Sequence, residues 1–199
     1  MRQKLIEAAL HQYSLHGYHG ATMRKIADEV GIKPASIYFF FENKEELFIA
    51  AFEQLLQAHF QAMQTVLAEN EDHPVEEIFS KMLHGIASHH TGDMQGTIAF
   101  ISLVTSPIPE IDSYLKKYML KFNNWLIDSL QTLIKQDYPT ISDQEVDRII
   151  KQYVLIGNGV FWGINLYEGE SFKEQVELAD SLIQSLFIGL DKKEKETIS

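Results

Sequence analysis

The chain has 199 residues and 45% hydrophobic content, enough to bury a sizeable core as one or two domains and ordinary for a globular protein in water. It has no cysteine, which excludes a disulfide scaffold and any thiolate metal site; with no apolar run of membrane-spanning length and no signal-peptide core after Met1, a cytoplasmic protein away from membranes is expected. The net charge of −11 argues against a nucleic-acid partner until its distribution is read: residues 1–46 hold six Lys/Arg and six Asp/Glu, whereas residues 47–199 hold eleven and twenty-two.

From Arg2 to about His16, the residues Ile6, Ala9, Leu10 and Tyr13 recur at helical spacing and predict a first helix with one apolar face. Gly17 ends it. Thr22 suits the N-cap of a second helix, whose first turn carries Arg24 and Lys25 where unpaired N–H groups can meet a phosphate. Ile26, Val30, Ile32 and Ile37, with Phe40 and Phe41 assigned to the core, fit two short helices around one small apolar centre, and Ala27 fits their crossing. Gly31 stands where the first of the pair must stop in a left-handed conformation, and Pro34 reads as the first residue of a helix running to about Phe41. This is the pattern of a helix-turn-helix, whose second helix can enter the major groove of DNA. Its exposed face is predicted to carry Pro34, Ala35, Ser36 and Phe39, with Lys33 at its mouth. Ala and Phe can pack on thymine methyl groups, and Ser can bond several base edges.

Asn43 with Glu46 forms a capping-box-like pair ahead of a long unbroken helix from Lys44 to about Asn70. Later breaks fall at Asn70–Pro74, Thr91–Asp93, Ser106–Pro109, Asp137–Pro139 and Tyr167–Glu170, with segments of helical length between them and a charged tail from Asp191 expected to fray. Ser142 with Glu145 and Ser171 with Glu174 are capping boxes that place the starts of the last two helices. Those helices are apolar on more than one side. Ile149, Tyr153, Ile156, Val160, Gly163 and Tyr167 form one seam beside a second of Ile150, Val154, Gly157, Phe161 and Ile164; in the final helix Val176, Ala179, Ile183, Leu186 and Leu190 lie beside Leu178, Leu182 and Phe187. A helix apolar on two sides is buried on two sides: either both helices are central in one subunit, or one side meets a second copy, and a homodimer through a four-helix interface is the expectation.

Tyr114, Tyr118, Phe122 and Trp125 fall at i, i+4, i+8 and i+11, along one helical face; such a stripe is more often core than ligand site. His84, His89 and His90 with Asp93 do not make a metal site, because adjacent helical residues point about 100° apart, and they are assigned to the surface or a loop. Gly157-Asn158-Gly159 lacks the strand and third glycine of a nucleotide fingerprint, and Ser113-x-x-Lys116 lacks the companions of a nucleophile motif. No catalytic constellation assembles, so no enzyme and no cofactor are expected.

Residues 2–52 resemble the DNA-binding domain of TetR-family (tetracycline-repressor-like) transcriptional regulators. The resemblance rests on Ala8-Ala9 and Tyr13, the Gly17-Tyr18 turn, Thr22 followed by Ile26-Ala27, Gly31-Ile32, Ile37-Tyr38 with Phe41, and the run Asn43-Lys44-Glu45-Glu46-Leu47. It implies an all-α protein with a three-helix DNA-binding domain at 1–46 and a helical effector-binding and dimerisation domain at 47–199. It further implies a homodimeric regulator, a repressor by family default, that binds a pseudopalindromic operator in double-stranded DNA and is released by a small molecule. The resemblance assigns Arg24 to base reading and Thr22, Tyr38 and Lys44 to phosphates. Two residues depart from the family pattern: Lys33 stands where a capping Ser or Thr is common, and Phe40 where many members have His. For the effector, expected to be apolar or aromatic, the resemblance points to walls from His59, Phe60, Met63, Met82, Phe100, Tyr118, Phe122, Trp125, Asn158, Phe161 and Trp162. The rival reading is a helical ligand-binding or scaffolding protein whose helix-turn-helix has lost its affinity for DNA.

Overall fold

The computed structural model describes residues 1–105 and 108–190; Ser106 and Pro107 of the expected break, and the expected frayed tail from Asp191, lie outside the described residues. Those described form helices without a strand: α1 (Arg2–Gly20), α2 (Met23–Val30), a short 3₁₀ helix (Pro34–Phe39), α3 (Lys44–Glu69), α4 (Val75–Gly92), α5 (Met94–Thr105), α6 (Asp112–Asp137), α7 (Asp143–Gly163) and α8 (Gly169–Ser185). Among the described residues no helix is long and apolar enough to cross a membrane.

Local chemistry accounts for most boundaries. α1 is kinked at Gly17, whose φ of 65° and ψ of 179° only glycine adopts without strain. Thr22 accepts from the Lys25 N–H at 3.3 Å and starts α2, which Gly31 stops in a left-handed conformation (φ 75°, ψ 34°). Asn43 accepts from the Glu46 N–H at 2.8 Å, while the Glu46 carboxylate reaches back to the Glu42 N–H rather than to that of Asn43. Ser142 caps α7 through the Glu145 N–H at 3.2 Å. The expected start of the last helix at Ser171 is two residues late. Gly169, at a φ of 54°, turns the chain early, and Ser171 sits inside the first turn of α8.

The chain divides into two compact units, 1–61 with 92–121 and 62–91 with 122–199, so α3 and α6 each contribute to both. In the first, Leu5, Ala9, Tyr13, Ile26, Ile37, Phe41, Phe48 and Phe52 share a core with Ala99, Leu103, Ile111 and Leu115. Tyr13 meets Phe52 edge-on at 4.9 Å, and Tyr18 meets Phe48 likewise at 5.0 Å. This unit therefore reaches well past residue 46, because the apolar face of α1 is covered by α5 as well as by α2. In the second unit α7 and α8 pack together around Phe79, Leu130, Ile134, Ile149, Tyr153 and Ile183, and the Tyr153 hydroxyl donates to the Phe79 carbonyl at 3.2 Å. The first unit carries nine Lys/Arg against ten Asp/Glu and the second eight against eighteen, so the acid excess belongs almost wholly to the second.

Candidate DNA-binding site

The 3₁₀ helix has three residues per turn, so its side chains form three rows: Pro34, Ile37 and Phe40; Ala35 and Tyr38; Ser36 and Phe39. Ile37 is fully buried and anchors the helix to α2. The other two rows face outward. Phe39 is 86% exposed, Tyr38 56%, Ala35 and Pro34 are exposed, and Ser36 is half-buried. Phe41 is in the core as expected, but Phe40, also assigned there, is 39% exposed. Counted by threes Phe40 falls in the row of Ile37, but it lies past the last turn, where a φ of −114° takes the backbone off the 3₁₀ path, and Phe41 enters the core instead.

Around this element stand the expected cations. The Arg24 side chain is 84% exposed, with Asp28 one turn on at 3.9 Å, and Lys25 and Lys33 are exposed. A pair so exposed contributes little to stability and leaves the guanidinium available to another partner. Lys33 occupies the N-cap of the 3₁₀ helix without a side-chain capping bond, in keeping with its departure from the usual Ser or Thr. Lys44 differs from the other cations. Its Nζ donates to the Tyr18 carbonyl and lies 4.3 Å from the centre of the Tyr18 ring and 5.6 Å from that of Phe48. Burial lowers its pKa, with Glu110 pulling the other way. Sequence reading places Lys44 among the phosphate contacts; the structure places it as a tie between the end of α1 and the start of α3. Arg2 was also missed: its guanidinium lies 4.9 Å over the Phe41 ring.

The model of bacterial regulatory proteins of the tetR family matches residues 5–51, the stretch that contains most of α1, α2, the 3₁₀ helix and the first turns of α3. Residues 5–51 are a DNA-binding domain of the TetR type. The TetR match extends to named relatives. A probable acrEF/envCD operon repressor of Escherichia coli K12 is 32% identical over 85 residues, covering 43% of this chain and 39% of that protein. The fatty acid metabolism regulator protein of Bacillus subtilis is 30% identical over 66 residues, covering 33% of this chain and 34% of that protein. The chain thus spans about two fifths or less of the length of these curated relatives. In fold, the transcriptional regulator FadR of Bacillus subtilis, solved in complex with stearoyl-CoA, is similar over 96% of this chain and all of that one, with a TM-score of 0.73 at 20% identity.

The residues expected around an effector divide between the two units. In the first, His59 is half-buried with its ring 6.0 Å from that of Phe100, Phe60 is buried, and the Tyr118 hydroxyl bonds the Gln57 side chain at 2.6 Å. Beside Tyr118, the Tyr114 hydroxyl donates to Glu53, so half of the aromatic stripe ties α6 to α3. In the second, Met63 and Met82 are buried and Phe122 and Trp125 are half-buried, their rings 5.8 Å apart. Phe161 packs edge-on against His90 at 4.7 Å. His90, assigned to the surface from the sequence, is therefore buried on α4, and His89 is half-buried beside it. Asn158 and Trp162 are exposed and do not wall an interior space.

The expected dimer seam is also corrected. Ile149, Tyr153, Val160, Gly163, Ala179, Ile183 and Leu186 are buried within the chain itself, and Ile156 and Leu190 half-buried; of that set only Tyr167 is exposed. Packing decides this, since the Tyr153 ring lies 4.5 Å from that of Phe79 and orients its seam inward. The neighbouring seam of Ile150, Gly157 and Ile164 is buried too. A third row is left outside. On α7 and the turn after it, Leu155 (72% exposed), Gly159, Trp162 and Leu166 (73%) follow at i, i+4, i+7 and i+11, and on α8 Leu178 and Leu182 are exposed at i and i+4.

Proposed function

We propose that this chain is a TetR-family DNA-binding transcriptional regulator, a repressor that grips a pseudopalindromic operator as a homodimer and is released by a small-molecule effector. The observation that carries the reading is the helix-turn-helix itself: an outward 3₁₀ helix with two exposed rows, flanked by exposed Arg24, Lys25 and Lys33, on the less acidic of the two units. Arg24 reaches base edges, Thr22 and Tyr38 meet phosphates, and Pro34, Ala35, Ser36 and Phe39 present the reading surface. Lys44 holds the head together rather than touching DNA.

Dimerisation proceeds through the exposed row of α7 and α8, with Leu155, Trp162, Leu178 and Leu182 covered by the same residues of a second copy. Large exposed apolar side chains on two packed helices support an isologous contact, and Gly159 lets the two backbones approach. The effector is apolar or carries an apolar chain, in keeping with Met82, Phe122, Trp125 and Phe161 in the second unit and with the stearoyl chain of the stearoyl-CoA in the FadR structure. It acts by preferring the conformation in which the two heads are spaced unlike the two half-sites.

Selection from a random duplex pool, followed by affinity for the winner across a salt series, tests the reading. An inverted repeat bound steeply more weakly as salt rises is expected. A folded dimer that enriches no sequence, with and without long-chain acyl-CoA present, refutes it and leaves the scaffolding alternative.

A further inference from the structure

The identity of the side chains on the 3₁₀ helix restricts which atoms of DNA it can recognise. From Pro34 to Phe41 the sequence PASIYFFF contains no charged residue and no Asn or Gln, so the bidentate pairs by which Arg reads guanine and Asn or Gln reads adenine have no donor on this element. What it presents instead is apolar. Among the described residues Phe39 is the most exposed large hydrophobic one at 86%, and it shares its side of the helix with Ser36 beneath and Ala35 and Tyr38 alongside. A phenyl ring held in water by a short helix, with exposed cations at Arg24 and Lys25 on α2 and at Lys33 before the helix, suits a polyanion that also offers an apolar group. Among the groups on the major-groove edges of the four base pairs, the apolar one is the 5-methyl group of thymine.

We propose that the 3₁₀ helix recognises its operator through thymine methyl groups, with Phe39 as the specificity-determining residue. The inference rests on the DNA-binding reading above and deepens it. The half-sites are thymine-containing where Phe39 and Ala35 reach the groove, and affinity depends on the methyl groups themselves rather than on the hydrogen-bonding edge of those bases. Each methyl buried against the ring changes affinity by roughly three- to fivefold.

The test uses the full-length dimer and the duplex selected from the random pool. Thymines in the half-sites are replaced one at a time by deoxyuridine, which deletes the methyl and keeps the base-pairing edge. Wild-type protein is expected to lose roughly three- to fivefold at one or two positions per half-site. At those positions a 5-methylcytosine pair recovers part of what a cytosine pair loses. Phe39→Ala, at a side chain clear of the core, is expected to bind the thymine and deoxyuridine duplexes equally, while Phe39→Leu keeps part of the difference. Equal binding of all deoxyuridine duplexes by the wild type overturns the methyl reading and leaves the regulator standing. A deoxyuridine loss that persists in full in Phe39→Ala overturns the role of Phe39. A pool that yields no selected sequence overturns this inference together with the DNA-binding reading.

Discussion

Replacing Lys44 by methionine separates the two roles open to that residue. Methionine keeps an unbranched, flexible stem over the Tyr18 and Phe48 rings but deletes the ammonium that bonds the Tyr18 carbonyl. A hydrogen bond from a charged donor contributes about 1.5–3 kcal/mol and an ammonium over an aromatic ring about 0.5–2 kcal/mol. Lys44 is half-buried, so water screens both and can replace the donor at the carbonyl, and the two share one cation. The net loss is therefore placed at about 1–2 kcal/mol, or a fall of roughly 2–8 °C in the thermal midpoint of a chain this size. The assay is thermal melting of wild type and Lys44→Met, paired with operator affinity across a salt series. A tie inside the head predicts a lower midpoint and an unchanged slope of log affinity against log salt. An unchanged midpoint with the slope reduced by about one would identify Lys44 as a phosphate contact and refute the structural role.

Tyr38→Ala is expected to weaken binding to every DNA sequence alike, whereas Arg24→Ala relaxes preference at one base position by roughly 1–3 kcal/mol; a uniform loss for Arg24→Ala, measured over a panel of single-base operator variants, would move it to the phosphate class. Leu155→Glu together with Leu178→Glu buries like charges in the proposed contact and is expected to yield a helical monomer by sedimentation, while an intact dimer would show that another surface joins the copies. Gly31→Ala places a Cβ at a φ of 75° where open space surrounds it, so its cost is backbone strain of about 1–2 kcal/mol rather than a clash, and urea unfolding that shows no loss would contradict the assigned turn. Burial pushes the Tyr13 hydroxyl up to about 12 and that of Tyr153 higher still, so each binds its proton more tightly folded than unfolded; stability is full below pH 10 and falls as pH rises beyond it. Tyr13→Phe should flatten that alkaline decline, and an unaltered pH profile of unfolding would refute the burial argument.

Much of the head was legible in the sequence because its signals are local. A capping threonine at 22, a left-handed glycine at 31 and a proline opening the next helix act within four residues of themselves, and each is where the pattern placed it. The same holds for Asn43 and Ser142 as caps. Phe40 escaped because its exposure depends on where the six-residue 3₁₀ helix ends, and an apolar residue beside another carries no mark of which one turns inward.

Beyond the head, periodicity determined that α7 and α8 are helices with apolar sides, but three neighbouring rows of apolar residues compete for one interior, and sequence spacing is blind to which wins. The fit of Tyr153 against Phe79 decided it, turning inward the seam that looked best suited to a partner and leaving Leu155, Trp162 and Leu166 outside. Tertiary packing likewise extended the head's core to α5 and α6, whose Ala99, Leu103 and Leu115 lie roughly 85–110 residues from the α1 side chains they share it with. The chain alone thus determined the turn chemistry and the reading element. Which apolar face meets its own core is a contest between distant surfaces, and that is settled when they close on one another.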